Sequence, residues 1–316
     1  MGPLIVLVGP TAVGKTELAV NLALHFGAQI ISADSMQIYQ GMDIGTAKPS
    51  LEERKGVPHH LIDLVPPDQP FTVVDYQNHY HQVRSHLAAA EVLPLLTGGT
   101  GLYIRAVTQD FIFPAPPPNP QLRAELKQEA EVYGREAVYR RLQELDPEAA
   151  QKIHPNDLKR TLRALEVTLA TGRPFSAQQQ AKRRTLPPDV IYLGLRRERA
   201  ELYDRINRRV DRMIAAGLVE EVASLLAQGY SPDLQAMQGL GYKELIPVVQ
   251  GRISLTEAVD LLKKRTRHYA KRQETWFRRE PVERWFLLRT GEEEKSYQKI
   301  LEFIEGRIKR VSNKLS

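Results

Sequence analysis

A glycine-bounded turn, Gly9-Pro10-Thr11-Ala12-Val13-Gly14-Lys15-Thr16, joins the apolar run Leu4 to Val8 to the helix-forming stretch Glu17 to Ala23. An apolar run closed by a turn predicts a buried strand, and the leucine- and alanine-rich stretch predicts a helix. The chain must therefore pass from strand to helix within one short loop, which is the unit from which α/β folds with parallel sheets are built. The two glycines let the backbone wrap an anion, so that successive N–H groups and the helix N-terminus point at phosphate oxygens. Lys15 adds a mobile positive charge. Thr16 offers a hydroxyl where a magnesium ion bridging protein and phosphate sits, completing a G-x-x-x-x-G-K-[ST] pattern. The ligand is a phosphate or diphosphate ester, and the loop alone does not distinguish between esters.

At 316 residues the chain exceeds what a single core usually holds, which predicts a second domain or a large insertion. No apolar run approaches the roughly 18 residues that span a bilayer, so no membrane association is expected. The N-terminus runs straight into the first strand, which leaves no room for a cleavable leader, and a cytoplasmic location is the expectation. Without cysteine, disulfides and thiolate chemistry are excluded, and any metal must be held by oxygen or histidine. The net charge of +6 points to a polyanionic partner if the cations cluster.

Past the first helix, Ala28 to Ala33 reads as a second strand closed by Asp34. Ligands of open α/β sheets bind beyond the carboxyl ends of the strands, so Asp34 is the candidate general base, with a capping role as the alternative. The loop Gly41 to Pro49 belongs to the same region. His59, His60, His79 and His81 lack the spacing of a metal motif and read as surface or loop residues. Thr72 to Ala90 predicts a helix and Val92 to Leu96 a strand, which closes in Thr97-Gly98-Gly99-Thr100. A P-loop hydrolase ends such a strand with a magnesium-holding aspartate, so its absence here argues against nucleotide hydrolysis.

The run Pro114 to Pro120 is stiff and marks a boundary. From Gln121 to about Ala181 the sequence predicts helices with no strand-like run, and its cations, Arg140, Arg141, Lys159, Arg160, Arg163, Lys182, Arg183 and Arg184, read on composition alone as a solvated face. The sheet resumes at Ile191 to Leu195. The expected organisation is a core over 1–113, a helical insertion over 114–188 and the rest of the core over 189–316. In the helix Arg199 to Ala215, Arg205 with Arg209 and Arg208 with Arg212 share faces; either one pair reaches back to the phosphates or both are surface ion pairs. A long helix over 255–279 carries Lys263, Lys264, Arg265, Arg267, Lys271, Arg272, Arg278 and Arg279, with Glu274 the only acid after Asp260. A solvated helix mixes both signs, so this cluster reads as a phosphate-backbone footprint and nucleic acid as the economical partner.

Several of these stretches, taken in order over most of the chain, resemble the bacterial tRNA dimethylallyltransferases. They are Gly9 to Thr16, Ser32 to Tyr39, Gly41 to Pro49, Gly98 to Tyr103, Ile153 to Asp157 with Arg160 to Glu166, Gly241-Tyr242, and Tyr269 to Gln273 through Trp276. The resemblance implies an α/β, P-loop NTPase-like core, its parallel sheet flanked by helices, plus an all-helical insertion domain that binds tRNA. The implied reaction moves a dimethylallyl group from dimethylallyl diphosphate to N6 of adenosine 37, beside the anticodon, in tRNAs reading codons that begin with U. By the same resemblance Gly9, Pro10, Thr11, Ala12, Val13, Gly14, Lys15 and Thr16 hold the diphosphate, with Thr16 contacting Mg2+. Lys15 and Arg209 neutralise the leaving group, Asp34 takes the N6 proton and Thr100 lines the channel. Implied tRNA contacts are Asp34, Ser35, Met36 and Gln37; Thr100 and Arg123; and Lys159, Arg160, Thr161, Leu162 and Arg163. They continue at Gln238, Gly239, Leu240, Gly241, Tyr242 and Lys243, and at Arg265, Arg267, Lys271 and Arg272. The insertion then clamps the anticodon stem-loop, and a monomer is expected. A small-molecule P-loop kinase is the alternative, but it leaves the insertion and the basic helix without a use.

Overall fold

The structure is a computed structural model and describes residues 2–109, 111–112, 119–178, 180–181 and 186–315. Most of the proline run, 114–118, and the cations Lys182, Arg183 and Arg184 lie outside the described residues. The chain opens with β1 (Leu4–Val8), α1 (Lys15–Phe26), β2 (Gln29–Ser32), α2 (Leu51–Arg54), β3 (His59–His60), α3 (Val73–Ala89), β4 (Pro94–Gly98) and α4 (Gly101–Thr108). Then come β5 (Phe111–Ile112), α5 (Pro120–Val132), α6 (Arg135–Leu145), α7 (Pro147–Lys152), α8 (Leu158–Thr171), α9 (Phe175–Gln178) and β6 (Gln180–Ala181). The last third holds β7 (Val190–Arg196), α10 (Arg199–Ala215), α11 (Leu218–Ala227), α12 (Tyr242–Val249), α13 (Leu255–Phe277), β8 (Arg284–Leu287) and α14 (Glu293–Leu315). Two compact units result, one of Met1–Thr108 with Thr185–Ser316, the other Gln109–Arg184. No described helix is long and apolar enough to cross a membrane.

The first unit is built on a six-stranded parallel sheet in the order β3-β2-β4-β1-β7-β8. Every residue of β1 is buried, as expected of a central parallel strand covered on both faces. Leu18, Ala19, Leu22 and Ala23 of α1 pack with Ile5, Leu7, Ile191, Leu193 and Phe286 of the sheet and Ile300 and Ile304 of α14. The strand expected from Val92 begins instead at Pro94 and runs on to Gly98, in register with Leu7 and Val8 at Thr97 and Gly98. His59 and His60 are not loop residues. Their backbone pairs with Ile30 and Ile31 as an edge strand, and His60 Nε2 lies 2.7 Å from Gln29 Oε1.

The second unit is mainly helical, around Leu126, Val138, Leu142, Leu162 and Leu165. Its helix starts follow capping rules: Asn119, Asp146 and Asp157 each accept a backbone N–H of the first turn, and proline follows the first two. The expectation of an unbroken helical insertion is corrected by an antiparallel pair, Phe111 with Ala181 and Ile112 with Gln180. A ladder of two residues per strand is too short to leave a periodic pattern, and its partners are remote in sequence.

Candidate active site

The loop after β1 needs backbone conformations that most side chains avoid: Gly9 at φ 156, Ala12 at φ 62 and Gly14 at φ 111. A Cβ on Gly9 would lie 2.7 Å from the Leu195 carbonyl oxygen, so the loop presses directly on β7. Its carbonyl oxygens are held by cations. Lys15 Nζ donates to Gly9 O at 2.9 Å and Pro10 O at 2.8 Å, Arg205 Nε to Ala12 O at 2.9 Å, and Arg197 Nε to Val13 O at 2.9 Å. With the negative ends of these peptides paired, an anion at the loop meets amides and cations. Arg209 Nη1 lies 3.5 Å from Thr11 Oγ1. The Arg205–Arg209 face of α10 thus turns to the loop, whereas exposed Arg208 pairs with Asp204 at 2.5 Å.

A cleft open to solvent is lined by Thr11, Lys15, Thr16, Asp34, Gln37, His59, Gly98, Gly99, Arg209, Tyr269 and Gln273, among others. Asp34 brings its carboxylate to this cleft while its Oδ1 accepts the Met36 N–H at 2.9 Å, so it both closes a turn and faces the phosphate loop. A Cβ on Gly98 would meet the Ala33 carbonyl oxygen at 2.2 Å, so only glycine lets the ends of β2 and β4 pass this closely. Thr100 is turned to Ser35: its Oγ1 accepts the Ser35 N–H at 2.9 Å and donates to Ser35 Oγ at 3.2 Å. Gly98 and Gly99, rather than Thr100, form the cleft wall at this point. Gln37 also lines the cleft, accepting from Ser32 Oγ at 3.0 Å and donating to the Ala47 carbonyl at 3.2 Å.

Burial lowers the Lys15 ammonium to about 7; Arg209 adds to the effect and Asp34 opposes it. Arg209 is lowered by burial against the attraction of Asp34. Burial and then the Asp34 charge raise the Tyr269 hydroxyl. An anion beside Lys15 favours the charged form.

The residues implied for RNA contact separate by exposure. Lys159, Arg160, Gln238, Lys271 and Arg272 are exposed, and Leu240, Lys243, Arg267, Ser35 and Met36 half-buried. Thr161 and Leu162, at 1% and 5% exposure, are buried within the helical unit. Arg123 and Arg163 are held by the buried Glu166, at 2.6 Å and 3.2 Å. Tyr242 is fully buried: its ring fills the space where a side chain on Gly45 would stand, and its hydroxyl donates to Glu221 at 2.6 Å. Gly239 and Gly241 are packing positions too, the first against Met36 and the second against Gly45 and Leu218. On α13, Arg265 pairs with Glu244 at 2.8 Å, Lys263 with Asp211 at 2.6 Å, and Arg267 donates to Asn207 at 2.7 Å.

Sequence reasoning missed Arg197, which grips the loop, Glu221, which binds the Gly41–Pro49 segment, and Gln273. The last accepts the Thr11 N–H at 2.8 Å and donates to Gly99 O at 2.9 Å. Only its place in the stretch Tyr269 to Trp276 marked it.

A family model described as IPP transferase matches residues 37–280. The tRNA dimethylallyltransferase of Alkaliphilus metalliredigens is 47% identical over 303 residues, 96% of this chain and 97% of that protein. Among solved structures, the full-length tRNA isopentenylpyrophosphate transferase of Bacillus halodurans is similar with a TM-score of 0.74 and 42% identity, covering 99% of each chain. A eukaryotic dimethylallyltransferase acting on tRNA is similar with a TM-score of 0.74 and 29% identity over 88% of this chain and 70% of that one. With its phosphate loop and Asp34 on one cleft and likeness of this extent, the chain belongs to the IPP transferase family.

Proposed function

We propose that this chain transfers a dimethylallyl group from dimethylallyl diphosphate to N6 of adenosine 37 in tRNAs reading codons that begin with U, releasing diphosphate and leaving N6-isopentenyladenosine. One observation carries the reading: the phosphate loop and Asp34, from the ends of two different strands, open on the same cleft. A leaving diphosphate and a base acting on the nucleophile therefore share one space. As the bond from the allylic carbon to diphosphate oxygen breaks, Lys15 and Arg209 neutralise the charge that grows on the departing group. As that carbon bonds to N6, the amine's proton passes to Asp34, whose Oδ1 is already oriented by the Met36 N–H. An exocyclic adenine amine is a weak nucleophile, so holding it in line matters as much as the base. The adenine must leave the anticodon stack, at a cost of roughly a few kcal/mol, which contacts from exposed Lys159, Arg160, Lys271 and Arg272 offset.

Magnesium fits the donor set. Thr16, in the first turn of α1, lines the cleft and would offer its hydroxyl to the ion, with diphosphate oxygens as the other hard donors. Among the described residues no group of three His, Asp or Glu competes for a metal. When bound, the ion supplies charge neutralisation on the diphosphate. The phosphate loop and Asp34 belong to one chain, and action as a monomer is part of the proposal.

The test is single-turnover transfer of labelled dimethylallyl to an anticodon stem-loop bearing adenosines at positions 36 to 38, with ATP as competitor and Asp34→Ala alongside. Label on adenosine 37, little inhibition by ATP, and a loss of about 10²- to 10⁴-fold in the variant with RNA binding retained are the expected results. ATP-dependent phosphorylation of a small acceptor, with no label on RNA, would sink the assignment in favour of a kinase.

A further inference from the structure

Gln273 is 5% exposed, and its amide spans two segments of the cleft. Through Oε1 it accepts the Thr11 N–H at 2.8 Å, and through Nε2 it donates to the Gly99 carbonyl at 2.9 Å. Both partners are backbone groups, one in the phosphate loop and one in the loop after β4. A Cβ on Gly99 would stand 2.3 Å from Nε2 and 4.0 Å from Asp34 Oδ2, so the amide lies against the glycine that faces the carboxylate. One residue further on, Thr100 accepts the N–H of Ser35, the residue after Asp34. One helical turn before Gln273, Tyr269 lines the same cleft, and Arg272 lies 5.6 Å from the centre of its ring.

We propose that Gln273 is a positioning residue for the transfer, resting on the function proposed above: its amide sets the separation between the loop that holds the departing diphosphate and the segment that carries the base. Only a group with one acceptor and one donor performs this task. A neutral carboxylic acid has both, accepting from Thr11 through its carbonyl oxygen and donating its O–H to Gly99, whereas a carboxylate accepts from Thr11 and opposes the Gly99 carbonyl like to like.

The experiment measures single-turnover rates for the wild type, Gln273→Met and Gln273→Glu from about pH 4.5 to 8.5; at this position burial and Asp34 raise an introduced glutamic acid, and Lys15 and Arg209 on the same cleft lower it. Melting temperatures and donor KM are followed in parallel. Gln273→Met is expected to lose about 10- to 100-fold in rate at every pH, with donor KM moved less than about threefold. The rate of Gln273→Glu relative to wild type is expected to rise as the pH falls, as the acid form restores both bonds. A folded Gln273→Met within about threefold of wild type, or a Gln273→Glu ratio flat with pH, overturns the proposal. Unfolding of both variants assigns the amide to stability and overturns it equally. Failure of the wild type to transfer label removes the functional reading itself, and is seen before either variant is compared.

Discussion

The loop Gly9 to Thr16 and the loop Gly41 to Pro49 both contribute to one cleft, yet charged side chains grip them at opposite ends of the peptide dipole. Lys15, Arg205 and Arg197 hold carbonyl oxygens of the first loop. In the second, the Glu221 carboxylate accepts the N–H groups of Asp43, Ile44 and Gly45 at 2.9, 2.8 and 3.1 Å. Both segments are rich in glycine and carry a lysine, so they look alike as text. The second has already bound an anion, one supplied by its own chain, and Lys48 is turned from the cleft to the Tyr39 carbonyl and to Asp43 and Asp63. In the first loop the Thr11 N–H is taken by Gln273 and no carboxylate of the chain is hydrogen-bonded to the loop's amides among the described residues, whereas in the second one carboxylate takes three successive amides.

Lys15→Met breaks this contrast most severely, because in the proposed reaction it removes a cation that neutralises the leaving group. The single-turnover rate should fall about 10²- to 10³-fold, with little change in melting temperature. A fall confined to stability would make the first loop as structural as the second.

The pH dependence of diphosphate binding sharpens the same point. The Lys15 ammonium of the free protein lies at about 7, and an anion raises it, so binding takes up a proton at higher pH. Affinity should weaken as pH rises above this value, approaching about tenfold per pH unit between roughly 7.5 and 9, where the ester itself no longer titrates. Calorimetry in buffers of different ionisation heat reads the uptake. An uptake near zero in that range, or a slope that survives Lys15→Met, would place the titration elsewhere.

Glu221→Ala should do least to ligand binding. Three N–H groups and the Tyr242 hydroxyl lose a charged acceptor, at a cost of roughly 2–4 kcal/mol in denaturant unfolding, while diphosphate affinity stays within about threefold. A large loss of affinity would show that the two loops act as one.

What could be read before the structure was what short stretches of chain decide. The phosphate loop is strand, turn and helix in uninterrupted sequence, and Asp34 follows from the rule that ligands sit beyond strand ends. Gln273 and Arg197 escaped because their partners Thr11 and Val13 stand 262 and 184 residues away, and nothing local marks either side chain. Within Lys159 to Arg163 successive helical residues do not share a face, so sequence order does not show that Thr161 and Leu162 fall on the inner one. Counting cations along α13 likewise overlooked their partners, since Glu244 and Asp211 come from other helices.

The central place of β1 has a consequence for the order in which the chain acquires its shape. One neighbour, β4, is made before the helical unit and the other, β7, after it, so a chain growing from the ribosome carries β1 half-paired while that entire unit is synthesised. An open, wholly apolar strand edge invites pairing with other chains. Nascent chains arrested before Val190 should therefore be cleaved by protease within β1, and chains arrested well after Arg196 should resist. Equal protection at both lengths would mean that the edge is covered by something other than β7.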